Sequence, residues 1–114
     1  MAAGSGLKGS FPLTKESIDK EVKFISAGVF ALGVLNEEGK FQMLYVGRSD
    51  TDVRRVLKGF IGKANRFKYE LFDDPEMAFR KECEIYHFMK PKANKVHPMR
   101  PVNMEWTCPE CGAR

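Results

Sequence analysis

A carboxylate in an apolar setting and a close pair of thiols are the chemically suggestive features of this chain. Asp73-Asp74-Pro75-Glu76 opens a segment of helical periodicity, and at about 100° per residue Glu82 falls in the middle of the stripe formed by Ala78, Phe79, Ile85, Tyr86 and Met89. A carboxylate there loses hydration, and it stays charged at modest cost only where a cation or strong donors meet it. Glu82 is therefore either met there by a cation or strong donors, or it reaches water or pairs with a structural arginine. The thiols belong to Cys108-Pro109-Glu110-Cys111-Gly112. Two thiolates at this spacing can chelate one zinc, but a closed structural site needs four ligands. Cys83, His87 and His97 are the other candidates, and spacing does not choose among them. Cys83 lies beside the apolar stripe and reads first as a buried core thiol. The rival to zinc held by this chain alone is a half-knuckle, free or completed by a second chain.

Charge is distributed in blocks. Arg48 to Lys68 holds seven Lys or Arg against two Asp, Lys90 to Arg100 holds four against no acid, and Glu70 to Glu84 holds six acids against Arg80 and Lys81. This basic, acidic, basic order suits a phosphate-binding face around an acidic centre, with Arg54, Lys58, Lys63 and Arg66 as its cations. The plainer reading is a solvated surface of mixed charge.

These groups must be positioned by a small set of elements. The stretch from Lys23 to Gly47 reads as a β-hairpin of two apolar strands, Phe24 to Leu35 and Phe41 to Val46. The polar turn Asn36-Glu37-Glu38-Gly39 joins them, with Gly supplying a positive φ. Before it, Thr14 is placed to cap a short helix ending near Val22. After it, Arg48-Ser49-Asp50-Thr51-Asp52 is rich in capping side chains and predicts a helix start. Val53, Val56, Leu57, Phe60 and Ala64 form its apolar stripe, Arg55 and Lys58 lie towards the opposite side, and Gly59 and Gly62 weaken its end. Arg66 to Phe72 alternates as a half-buried strand, with Phe67, Tyr69 and Leu71 on one face. The helix opened by Asp74-Pro75 should run to about Met89 and stop before Pro91. From Lys92 onward no period is visible, and an irregular tail is expected, held by Trp106 or a metal.

The totals are those of one small domain: 114 residues, 43% apolar and 30% charged, with a net charge of +4 and a pI near 9.0. No apolar run is long enough for a transmembrane helix. The opening MAAGSGLKGS has no apolar core segment and is expected to be a flexible tail, not a secretory signal. Three cysteines do not make a disulfide framework, so a reducing, cytoplasmic setting is inferred.

Two triplets link the elements to a function. Gly28-Val29-Phe30 on the first strand and Tyr45-Val46-Gly47 at the end of the second resemble the paired signature of the GIY-YIG nuclease superfamily, with Phe30 in place of the first tyrosine. In that family the second motif is followed ten residues later by a helical arginine, then a strand, then a helical glutamate and, about twelve residues on, an asparagine. Here Tyr45 to Arg55 is ten and Glu82 to Asn94 is twelve. Alone, Tyr45 would read as a half-buried strand aromatic, Arg55 as a solvated charge and Asn94 as a turn former. The resemblance, covering about Phe24 to Asn94, implies an α/β sandwich with a small, mainly antiparallel sheet flanked by helices and an irregular C-terminal tail. It implies a single-ion phosphodiesterase: Glu82 holding magnesium or manganese, Tyr45 positioning or deprotonating the attacking water, Arg55 neutralising the scissile phosphate, Arg48 assisting, and Asn94 hydrogen-bonding near the metal or phosphate. Arg54 rivals Arg55, because Asp52 stands where the family has an apolar residue and Val53 follows it. The expected organisation is a tail at 1–13, a nuclease-like domain at 14–97, and a tail at 98–114 carrying the CxxC knuckle. The expected activity is endonucleolytic cleavage of nucleic acid, DNA before RNA. The alternatives are a catalytically degenerate nucleic-acid-binding module and a small zinc-containing adaptor.

Overall fold

A computed structural model describes residues 6–112. Its centre is the hairpin, β2 (Ala27–Leu35) and β3 (Phe41–Ser49), closed where Asn36 Oδ1 accepts from the Glu38 and Lys40 amides and Gly39 takes φ 79°. The first strand begins later than its sequence suggests: Phe24 and Ile25 are exposed, and Ser26 instead bonds the Phe72 carbonyl. The second runs three residues further than expected, so Arg48 is a strand residue. β4 (Arg66–Phe72) pairs antiparallel with β2, and β1 (Lys8–Pro12) pairs antiparallel with β4, giving the order β1-β4-β2-β3. β1 corrects the expected N-terminal tail. GSFP carries no alternating pattern, and its strand conformation comes from the register that β4 offers it; residues 1–5 of that tail lie outside the described residues.

Three helices cover the two faces. α1 (Lys15–Glu21) starts where Thr14 Oγ1 accepts from the Ser17 amide, and α2 (Val53–Lys58) where Asp52 accepts from the Arg55 amide. They pack on the side of the sheet that presents Phe30, Leu32, Phe67 and Tyr69. α2 is shorter than the apolar stripe predicts, because the chain turns after Gly59 and Gly62 adopts φ 94°. Val56 packs on the core from the helix, and Phe60 and Ala64 still do so from the turn that follows it. α3 (Pro75–Met89), capped by Asp74, covers the other face, where Val29, Ala31 and Val46 meet Ala78 and Ile85. β2 is thus buried on both sides, which is why its sequence is an unbroken apolar run.

The α/β sandwich with a four-stranded antiparallel sheet and flanking helices agrees with the expected class. Residues 90–112 form no helix or strand, and they return along α3. Trp106 stacks near Phe79 at 5.6 Å, and Cys108 joins Phe79 and Cys83 in a small third core. Among the described residues no helix is long and apolar enough to cross a membrane.

Candidate functional site

Alternation along β3 puts Val46 and Arg48 on the α3 side of the sheet, and Tyr45 and Gly47 on the other. Gly47 is required for close packing: a Cβ there would lie 2.7 Å from Phe30 Cζ. Phe30, 1% exposed, forms an aromatic trio with Tyr45 at 6.2 Å and Phe60 at 5.5 Å. Phe30 is therefore a floor beneath Tyr45.

At the outer edge of β3 a cleft of about 340 Å³ is lined by Tyr45, Glu82 and residues 93–99, Asn94 and His97 among them. The sequence-predicted Tyr45, Glu82 and Asn94 thus share one cavity. Burial and the nearby Glu82 charge raise the Tyr45 phenol above its ordinary pKa, so at neutral pH it is a protonated donor. Glu82 is 7% exposed, as the helical stripe predicted. The cation that meets it is Arg48, whose Nη1 donates to Glu82 Oε1 at 2.7 Å. Arg48 Nε also donates to Asp50 Oδ1 at 2.7 Å and Nη2 to the Met99 carbonyl at 2.7 Å, while its guanidinium lies over the Phe79 ring at 5.0 Å. Burial opposes the Arg48 charge, but the hydrogen bonds to Asp50 and Glu82 outweigh it and raise its pKa. Burial also raises Glu82, against the pull of Arg48. The second Glu82 oxygen makes no hydrogen bond among the described residues.

Asn94 is engaged by backbone. Its Oδ1 accepts from the Val46 amide at 2.8 Å and its Nδ2 donates to the Val46 carbonyl at 2.9 Å, while the Ala93 amide donates to the Leu44 carbonyl. A side-chain amide here does what a neighbouring strand would do. Arg55 is exposed on α2 and does not line the cleft.

The basic candidates divide into two groups. Arg54 and Lys58 both donate to Asp19 Oδ1, at 2.6 and 2.7 Å, and fix α2 to α1. These hydrogen bonds hold the Asp19 carboxyl well below the ordinary aspartate range. Arg66 is bound to Ser10 of β1. Lys63 and Arg55 are exposed. Asp19, which gathers Arg54 and Lys58, carried no sequence signal beyond its place on a helix.

The thiol pair finds its partners in the two histidines. Ligand atoms of His87, His97, Cys108 and Cys111 all lie within 4.8 Å of one another and could hold a metal ion. His87 stands in the last turn of α3; the other three come from the tail. His97 Nδ1 lies 2.8 Å from the Pro98 carbonyl, so a proton there leaves Nε2 as a free electron pair. The Gly112 amide donates to the Cys108 carbonyl and the Glu110 amide to Cys108 Sγ, which folds the knuckle around that sulfur. Burial pushes the Cys108 thiol up, but the Cys111 and Glu110 amides, with His97 and Cys83, bring it down to about 6. Cys83 is buried beside it and pushed strongly up by that burial and by Cys108. It is a packed core thiol outside the ligand cluster. Comparison with family models, with curated proteins and with solved structures finds no match for this chain.

Proposed function

We propose that the protein is a phosphodiesterase acting on nucleic acid, of the GIY-YIG type, with a magnesium or manganese ion held at Glu82. The observation that carries this reading is the convergence of Tyr45, Glu82 and Asn94, from a strand, a helix and a loop, on one cleft at the edge of β3. The donor set suits such an ion: one Glu82 oxygen is committed to Arg48 and the other has no protein partner, and magnesium is commonly held by one or two carboxylates with water and substrate phosphate. Arg48 faces two carboxylates, Glu82 and Asp50, so the cluster keeps a formal negative charge that favours a further cation. When bound, the ion supplies Lewis acidity to a phosphodiester oxygen. The raised pKa of Tyr45 favours orientation of the attacking water over its deprotonation. Asn94 holds the edge of the cleft in place, and Arg55 and Lys63 are exposed cations available to flanking phosphates.

The cluster of His87, His97, Cys108 and Cys111 is read as a structural zinc site, because four protein ligands leave no position open for substrate.

A second reading, a nucleic-acid-binding module without turnover, is favoured by the ion pair that occupies Glu82 and by the backbone bonds that occupy Asn94. Plasmid and oligonucleotide cleavage with magnesium or manganese separates the two. The enzyme reading expects slow metal-dependent cutting, lost in both Glu82→Gln and Tyr45→Phe. Binding without cutting under either metal would leave the binding module.

A further inference from the structure

Residues 91–112 hold their course with little apolar support. Pro91 and Cys108 are buried and Trp106 is half-buried on Phe79, but Val96, Met99, Val102 and Met104 are exposed. Polar contacts define the path instead. Ala93 and Asn94 dock on Leu44 and Val46, the Met99 carbonyl accepts from Arg48, and His97, between these two contacts, turns its ring to His87 and Cys111. The segment from Ala93 to Met99 is also the wall that stands beside Tyr45 and Glu82.

We propose that His87, His97, Cys108 and Cys111 bind one zinc ion in a closed tetrahedral site, and that this ion fastens residues 91–112 as a strap across the Tyr45–Glu82 cleft. The strap rests on the structural-zinc reading and not on the nuclease reading. Two of the ligand-to-ligand distances match the ion, and all four ligand atoms lie within 4.8 Å of one another. With zinc bonds of about 2.05 Å to nitrogen and 2.3 Å to sulfur, tetrahedral geometry sets ligand edges of about 3.3 Å between two nitrogens and about 3.6 Å between nitrogen and sulfur. His87 Nε2 and His97 Nε2 are 3.2 Å apart, and His97 Nε2 and Cys111 Sγ 3.6 Å. Two thiolates and two imidazoles select zinc over the harder divalent ions. His87 is anchored in α3, so the ion joins the helix that carries Glu82 to the strap at His97 and again at the knuckle. Loss of the ion releases both attachments at once. Arg48 then keeps Asp50 and Glu82 but loses the clamp that holds the Met99 carbonyl against it, and the cleft opens along its tail side.

The Val46 amide reports the state of the strap, because it donates to Asn94 Oδ1 at the sheet edge. The 114-residue chain purified without chelator should carry about one zinc per chain after gel filtration, and cobalt substitution should give the visible absorption of a tetrahedral thiolate site. Stripping the zinc should speed exchange of the Val46 amide at least about tenfold, reversibly, while amides of Ala31 and Phe67 in the inner strands keep their protection. His97→Gln, which leaves three ligands and the core untouched, should do the same and should admit trypsin at Lys95; it decides the matter where stripping also loosens the inner strands. Protein free of zinc overturns the zinc reading and the strap with it. Bound zinc with Val46 protected in His97→Gln overturns the strap alone.

Discussion

Arg48→Met is the most informative single perturbation of the site. Methionine keeps much of the apolar stem against Phe79 and removes every donor that now serves Glu82, Asp50 and the Met99 carbonyl. Asp50 is partly exposed and rehydrates readily; Glu82, at 7% exposure, regains far less water. Removing one member of a buried ion pair costs about 3–5 kcal/mol. The share due to the stranded charge has a ceiling, because Glu82 can take up a proton instead. From an ordinary value of 4.5, that uptake costs about 4 kcal/mol at pH 7.5 and about 2 kcal/mol at pH 6. Arg48→Met should therefore destabilise the domain by up to about 4 kcal/mol at pH 7.5, and by about 2 kcal/mol less at pH 6, a large part of the stability of a domain this size. Adding Glu82→Gln should restore most of the loss at the higher pH, since a neutral amide needs no cation. Urea unfolding of the four proteins at both pH values, with the slopes compared first, gives the cycle. Equal losses at both pH values, or a double variant no more stable than Arg48→Met, would show that Arg48 acts by packing and refute the charge argument.

Neutralising the exposed cations Arg55 and Lys63 should flatten the dependence of log K on log salt for nucleic acid by about one unit each, in binding titrations that leave thermal stability unchanged; neutralising Arg54 and Lys58 should instead lower stability first, because they hold α1 through Asp19. The Asp19 carboxyl lies below its ordinary value of 3.8 through its hydrogen bonds to Lys58 and Arg54, so its contribution to stability is complete above that value and is lost as pH falls below it. Asp19→Asn should lower the unfolding midpoint at neutral pH and lose less stability than the natural chain below about pH 4, as followed by circular dichroism in acid titration.

What the chain disclosed in advance depended on whether the signal was local. The hairpin turn needs Asn36 and Gly39, the third helix needs Asp74 and Pro75, and both sets of residues state their purpose within a few positions. The burial of Glu82 was likewise legible, because helical periodicity alone decides which face a residue shares. Its partner was not: Arg48 and Glu82 meet across 34 positions, and only the packing of α3 on the sheet brings them together. The same holds for β1, whose glycine and proline conceal a strand until β4 supplies the other half of the ladder. Of the metal candidates, the thiols were marked by their spacing, whereas His87 and His97 were chosen over Cys83 by the path of a tail that carries no periodicity.

The two hydrogen bonds between the Asn94 side chain and the Val46 backbone also cover an outer strand edge. β3 is an outer strand with the apolar segment Leu44-Tyr45-Val46, and an open strand edge of that composition is a template on which a second chain can lay its own strand. Ala93 and Asn94 occupy that template from within the same chain. A protein shortened before Pro91, although it keeps every helix and strand, should for that reason associate edge to edge and precipitate as its concentration rises.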